Sequence, residues 1–203
     1  MTIKIYVEGG GNNNSATKAK CKEAFAEYCK KLCPADRRPR IVVCGSRNEA
    51  FKKFKTATSL ADGEQCALLV DSEGYVRPES TPASHLSNQD KWNFEKQSGQ
   101  HVFLMVQAME AWFFADRIAL AAYYEAGFHA NALRGSERNV EEIRKTDLEQ
   151  SLKDASKGTT KGPYHKTRHG FDLLRLINPD KVAAGSSHAA AFHRFLKGEN
   201  LGD

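Results

Sequence analysis

The stretch that decides the fold is residues 3–14, IKIYVEGGGNNN. Its first five residues are mostly β-branched or aromatic, which predicts a short buried strand. The strand ends at an acid, Glu8, and the glycines that follow permit positive φ and close backbone approach. A second apolar strand ending in acids lies downstream at residues 66–73, CALLVDSE, which contains Asp71 and Glu73. The sequence therefore predicts two strands whose ends carry carboxylates.

The segment between these strands alternates between helical and extended patterns. Apolar residues recur at helical spacing from Ser15 until Pro34, and residues 41–44 form another short apolar run. Gly45 and Ser46 then lead into a second helical pattern. This β-α-β-α-β order predicts an α/β fold with a parallel sheet and right-handed crossovers. The apolar run ALLV suits a central strand that is buried on both faces.

The second half of the chain becomes increasingly helical. Residues 74–99 have no sustained periodicity and predict a long loop with one short helix around residues 85–92. A strand is predicted at residues 101–107, and helical spacing follows, with Asp116 as an alternative cap for a second piece. We expect an α/β core over residues 1–126 and a helical extension over residues 127–203, with a capping box at 146–149 and helices at 171–177 and 189–196.

The composition argues against a membrane protein and against a secreted protein held together by disulfides. The chain has 203 residues, 40% of them apolar, and contains no run of eighteen apolar residues, so we expect no membrane partner. Its start lacks the layout of a signal peptide, and its five cysteines include no C-x-x-C pair, which favours the cytoplasm. The net charge of +5 is compatible with a polyanionic partner without requiring one.

The carboxylates after the two strands predict a metal site. In an open parallel sheet, ligands gather beyond the carboxyl ends of the strands, where Glu8, Asp71 and Glu73 would meet if the strands are neighbours. Asp71 and Glu73 occupy alternate positions and so point the same way. Three such acids repel each other unless a cation joins them, and Mg²⁺ or Mn²⁺ prefers oxygen ligands. The alternative is that each acid is solvated or caps a helix.

Two motifs, VEGGGNNN and LLVDSE, resemble the toprim domain of topoisomerases, primases and related nucleases. Across almost its full length, the chain is similar to a bacterial toprim-like family with VEGGG, CGSRN, LLVDSE, MEAWF and KGxYHKxRH motifs. The resemblance implies a toprim-like sheet and a magnesium-dependent nuclease acting on DNA or RNA. It also implies an ABC-type ATPase partner in anti-phage defence. The usual acidic pair is Asp-x-Asp, whereas here Glu73 is the longer second acid.

A further acid, Glu110, lies in QAMEAW at the predicted end of a strand. The resemblance implies an additional catalytic acid in such a context. The alternative is a glutamate favourably placed at a helix N-terminus. Asp116, further along the same pattern, has a weaker case for the site.

A basic block, KGPYHKTRH, occupies residues 161–169. Its composition suits contact with phosphates, and an aromatic ring within it can stack on a base. Lys161 is a catalytic candidate because a lysine can offset charge on the scissile phosphate. A solvated basic turn is the alternative. The substrate-binding candidates of this block are Tyr164, His165, Lys166, Arg168 and His169, with either histidine also a candidate general base.

The glycine turn and the second strand supply the remaining substrate-binding candidates. Gly9, Gly10 and Asn12 can approach or orient a phosphate, and Arg47 either binds phosphate or caps its helix. A dinucleotide fingerprint is disfavoured because position 14 is asparagine rather than glycine. The rival to a nuclease is a non-catalytic interaction or sensor subunit of an ATPase complex. The sequence leaves a homo-oligomer open.

Overall fold

A computed structural model describes residues 3–10, 15–60 and 65–199. Its sheet has four strands, all parallel, in the order β2-β1-β3-β4. The bounds are β1 Ile3–Val7, β2 Arg40–Val43, β3 Gln65–Asp71 and β4 Val102–Met105. The α/β class is thus confirmed. The prediction that the first and third strands are neighbours is also confirmed.

Ten α-helices lie within the described residues. Short 3₁₀ turns occur at Ala35–Arg37, Ala130–Ala132 and Val140–Glu142, and a π-helical turn at Lys166–Gly170 leads into α8. The helices are α1 Ser15–Lys30, α2 Arg47–Ser59, α3 Pro82–Asp90, α4 Lys96–Gly99, α5 Glu110–Phe114, α6 Arg117–Tyr124, α7 Lys145–Ser156, α8 Phe171–Leu176, α9 Pro179–Gly185 and α10 Ser187–Lys197.

Strand alternation divides the core into two hydrophobic clusters. Ile5 belongs to the cluster that also contains α1 and the C-terminal helices, whereas Tyr6 belongs to the cluster beneath α2 and α3. In the first cluster the rings of Tyr28 and Trp112 stack with centroids 5.2 Å apart, and Phe192 of α10 packs beside them. Helices after residue 126 therefore share a core with the sheet, and the boundary at residue 126 stays a prediction.

The structure differs from the predicted secondary structure at three places. The predicted capping box at residues 146–149 is wrong, because α7 begins at Lys145 without a side-chain cap. Helix α9 was not predicted, although Asn178 caps it and Pro179 suits its first turn. Residues 74–99 contain two helices, α3 and α4, rather than one. Asp116 does cap a second helical piece, since its side chain accepts the N–H of Ala119 at 3.3 Å.

None of the helices in the described part of the chain is long and apolar enough to cross a membrane.

The pair of Tyr28 and His193 should make stability sensitive to acid. The Tyr28 hydroxyl lies 3.0 Å from Nε2 of His193 and joins α1 to α10. Burial lowers the pKa of His193 to about 4. An unfolded histidine titrates near 6.5, so the stability contributed by neutral His193 is present above that pH and is lost as the pH falls towards 4.

We expect His193→Gln to lose less thermal stability than the wild type between neutral pH and pH near 5, because glutamine cannot take up a proton. Melting temperatures measured by circular dichroism across this range test the expectation. His129→Gln, at an exposed position, is the control. Parallel melting curves for wild type and His193→Gln would contradict it.

Candidate metal centre

Three carboxylates meet at the carboxyl end of the sheet. One oxygen of each of Glu8, Asp71 and Glu73 lies within 4.8 Å of the others. The register between β1 and β3 aligns Val7 with Leu69, so Glu8, which follows β1, and Asp71, which ends β3, lie at the same edge. The N–H of Asp71 also donates to Oε1 of Glu8 at 3.0 Å. The predicted set of metal ligands is therefore grouped in space.

Glu73 reaches this group by a route that strand alternation does not give. β3 ends at Asp71, two residues earlier, and the chain then turns with φ of 64° at Glu73. Positive φ is uncommon outside glycine and asparagine. The N–H of Glu73 donates to the carbonyl of Gln107 at 3.0 Å, which holds the turn against the segment after β4.

The cluster is acidic and partly removed from water. Asp71 is 2% exposed, and its Oδ1 accepts the N–H of Met109 at 2.8 Å. Burial, and then the charge of Asp71, raise the pKa of Glu8 to about 8. The carboxylates border a cavity of about 300 Å³ that is also lined by Gly9 and Gly10. Oxygen donors, like-charge strain and adjoining space together fit Mg²⁺ or Mn²⁺.

Lysines from the second half of the chain oppose these acids. The Nζ of Lys166 lies 3.4 Å from Oδ2 of Asp71 and 3.5 Å from Oε2 of Glu110. Burial lowers the pKa of Lys166, but the charges of Asp71, Glu110 and Glu8 outweigh it and raise that pKa above its ordinary value. Lys145 forms an ion pair with Glu73. No sequence motif signalled Lys145, which is 72 residues from its partner.

Arg47 lies among the acids rather than at a helix cap. Its guanidinium donates to the backbone carbonyl of Asp71 and lies 3.7 Å from Glu73 and 4.0 Å from Glu8. A 2.6 Å ion pair with Asp90 holds it from the other side. The capping alternative for Arg47 is wrong.

The cap of α2 comes from the preceding residue. The Ser46 side chain accepts the N–H of Glu49 at 3.3 Å and so caps the helix.

The Arg47 guanidinium also lies 5.4 Å from the centroid of the Trp92 ring, a cation–π distance.

Glu110 is a neighbour of the three-acid group, whereas Asp116 is not. Glu110 is 4% exposed, and its Oε1 accepts the Tyr164 hydroxyl at 2.9 Å. Its Oε2 has the ion pair with Lys166 but no hydrogen-bond partner among the described residues. Burial raises the pKa of Glu110. Asp116 accepts a hydrogen bond from Lys181 at 2.6 Å and from the N–H of Asn178 at 2.9 Å, so it joins helices.

The basic block divides into a buried and an exposed part. Tyr164 is 1% exposed, so a base cannot stack on its ring, contrary to the expectation. His169 is buried as well, and its Nδ1 contacts the Tyr124 hydroxyl and the N–H of His165, both at 3.2 Å. Burial lowers the pKa of His169. The exposed members of the block, His165, Lys166 and Arg168, stay candidates for substrate contact.

Lys161, the predicted catalytic lysine, lies elsewhere. Its Nζ is 5.2 Å from the centroid of the Tyr123 ring, and it forms no ion pair with an acid in the described part of the chain. Lys166, five residues later, is the lysine that reaches Asp71 and Glu110. The role assigned to Lys161 therefore suits Lys166.

The glycine turn packs closely on α1. Gly9 and Gly10 have φ of 134° and 77°, and the N–H of Gly9 donates to the carbonyl of Gly45 at 2.9 Å. A Cβ on Gly10 would lie 2.8 Å from Cα of Lys18, so a side chain there requires the helix to move. Asn12, the remaining candidate of this turn, lies outside the described residues.

A profile of the family described as "Domain of unknown function (DUF4276)" matches residues 7–197. The chain belongs to this family. The DUF4276 region contains every acid and every cation of the candidate centre. No curated protein and no solved structure matches the chain significantly.

The contact between Glu110 and Tyr164 generates a test within the DUF4276 region. We expect Tyr164→Phe to lower the free energy of unfolding by about 1–3 kcal/mol, because Oε1 of Glu110 loses its buried donor. Urea denaturation measures this change. Tyr123→Phe is the matched control, since its hydroxyl makes only a 3.4 Å contact with Asp172. If both variants lose the same free energy of unfolding, the hydrogen bond to Glu110 contributes no more to stability than the contact of Tyr123 with Asp172.

Proposed function

We propose that this DUF4276 protein is a metal-dependent nuclease that hydrolyses phosphodiester bonds in DNA or RNA. The observation that carries the proposal is the convergence of Glu8, Asp71 and Glu73 within 4.8 Å beside a cavity. These residues would hold Mg²⁺ or Mn²⁺. When bound, such an ion polarises a phosphate and lowers the pKa of a water.

The protein's own side chains would position and balance the phosphate. Lys166 and Arg47, already directed at the acids, can turn to the phosphate oxygens and offset the charge that develops there. Glu8, whose carboxylate borders the same cavity, can accept or return a proton. Glu110, beside Lys166, keeps that ammonium close to Asp71.

The toprim-like resemblance supports the wider setting of the proposal. It suggests an effector of bacterial anti-phage defence that works with an ABC-type ATPase. The cytoplasm is the proposed location, in keeping with five cysteines that are all free thiols.

One observation favours a second function, a non-catalytic interaction or sensor subunit of an ATPase complex. Arg47, Lys145 and Lys166 already pair with the acids, so charge within the cluster is partly offset by the protein itself. A structural cluster of this kind needs no metal. Metal binding therefore separates the two functions.

Asp71→Asn and Glu8→Gln should each lower cleavage of nucleic acid by about 100-fold or more, because each removes a charged oxygen from the centre. Plasmid, single-stranded DNA and tRNA with Mg²⁺ or Mn²⁺ are the substrates for this measurement. Glu79→Gln, at an exposed position, is the control.

Melting temperatures give an independent reading of the same variants. Wild-type protein should gain stability with Mg²⁺ by linkage, and Asp71→Asn should gain less. Without metal, Glu8→Gln should be as stable as wild type or slightly more so, since it relieves repulsion with Asp71. Wild-type cleavage by Asp71→Asn, together with an undiminished Mg²⁺ shift, would reject the metal centre and favour the interaction subunit.

A further inference from the structure

The positive charge of the chain is concentrated in one part of the fold. Residues 15–60, which form α1, β2 and α2, contain twelve lysines and arginines against four acids, a net charge of +8. The whole chain has a net charge of +5, so the remainder is net acidic. This segment therefore creates a local positive field that the total charge conceals.

Basic side chains lie on both faces of the sheet, beside its edge strand β2 and the adjoining strand β1. Lys18 and Lys22 of α1 and Arg40 of β2 line a groove of about 310 Å³. Lys53 comes from α2 on the other face. There Lys53 lines a second groove together with Lys4 and Tyr6 of β1, the strand paired with β2. We name Lys18, Lys22, Arg40 and Lys53 the basic edge.

The basic edge is continuous with the candidate metal centre. Lys18 packs against Gly10, which borders the cavity beside the three carboxylates. From Cys44 the chain runs through Gly45 and Ser46, which line the same cavity, to Arg47 among the acids. A polymer lying along β2 would thus enter the centre at its glycine-rich side.

We propose that the basic edge binds the phosphate backbone of a nucleic acid strand and leads it to the metal centre. This inference rests on the proposed nuclease function and assigns a surface for its substrate outside the block at residues 161–169. Lysine and arginine contacts to phosphates position a strand without reading its sequence. Charges on an edge strand also discourage pairing with another sheet, but that role alone predicts no affinity for nucleic acid.

The test is a triple variant, Lys22→Gln with Arg40→Gln and Lys53→Gln. These side chains are exposed, and glutamine retains much of their length. The control removes the same charge elsewhere, with Arg138→Gln, Lys157→Gln and Lys197→Gln, all exposed and outside α1, β2 and α2. Fluorescence anisotropy with labelled single-stranded and duplex DNA is measured in EDTA over a range of KCl concentrations.

We expect the triple variant to bind DNA more weakly and the slope of log affinity against log salt to fall by about 2–3. Each phosphate contact contributes about 0.7 to the slope for single strands and about 0.9 for duplex. The control variant should keep a slope closer to that of the wild type. An unchanged slope and affinity in the triple variant would overturn the inference.

Two further measurements separate the possible failures. Metal-dependent hydrolysis of bis(p-nitrophenyl) phosphate, which is too small to span the basic edge, reports on the centre alone. If the protein hydrolyses neither this compound nor DNA or RNA, the proposed nuclease function is rejected. The anisotropy measured in EDTA then still tests whether the basic edge binds DNA. Binding of polyglutamate as tight as that of DNA would overturn the inference in favour of an acidic protein partner.

Discussion

The structure depends on how like charges are reconciled at one end of the sheet. Parallel pairing of β1 with β3 brings Glu8 and Asp71 together, and the turn at Glu73 adds a third carboxylate. Their counter-charges come from distant parts of the chain, Arg47 after β2 and Lys166 in the C-terminal part. The C-terminal helices therefore do more than cover apolar surface, because they carry charge that the sheet edge requires.

Strand and helix alternation was enough to predict the sheet and the meeting of Glu8 with Asp71. Both follow from local patterns, namely apolar runs that end in acids and helical spacing between them. The prediction that Glu73 joins the other two acids is confirmed, but strand alternation does not explain it. The strand ends before Glu73, and a positive φ at this residue brings its side chain to the cluster. The outcome depends on backbone geometry after the strand, which alternation does not describe.

The basic block shows where local patterns stop being informative. The composition of the block indicates an exposed turn. Tyr164 is nevertheless buried, and its hydroxyl donates a hydrogen bond to Glu110, 54 residues away in sequence. Likewise, nothing in the composition of the block distinguishes Lys161 from Lys166, and only the path of the π-helical turn directs Lys166 to Asp71. Contacts between segments far apart in sequence decide both cases, and a single sequence gives no measure of them.

The chain order of these charges also fixes a sequence of events during synthesis. All three carboxylates leave the ribosome before Lys145 and Lys166. Of the three cations that contact them in the described part of the chain, only Arg47 is therefore present at first. A sheet edge that formed before these lysines were synthesised would therefore carry more net negative charge than the edge of the finished protein. Synthesis of the C-terminal part then supplies the two lysines that offset this charge.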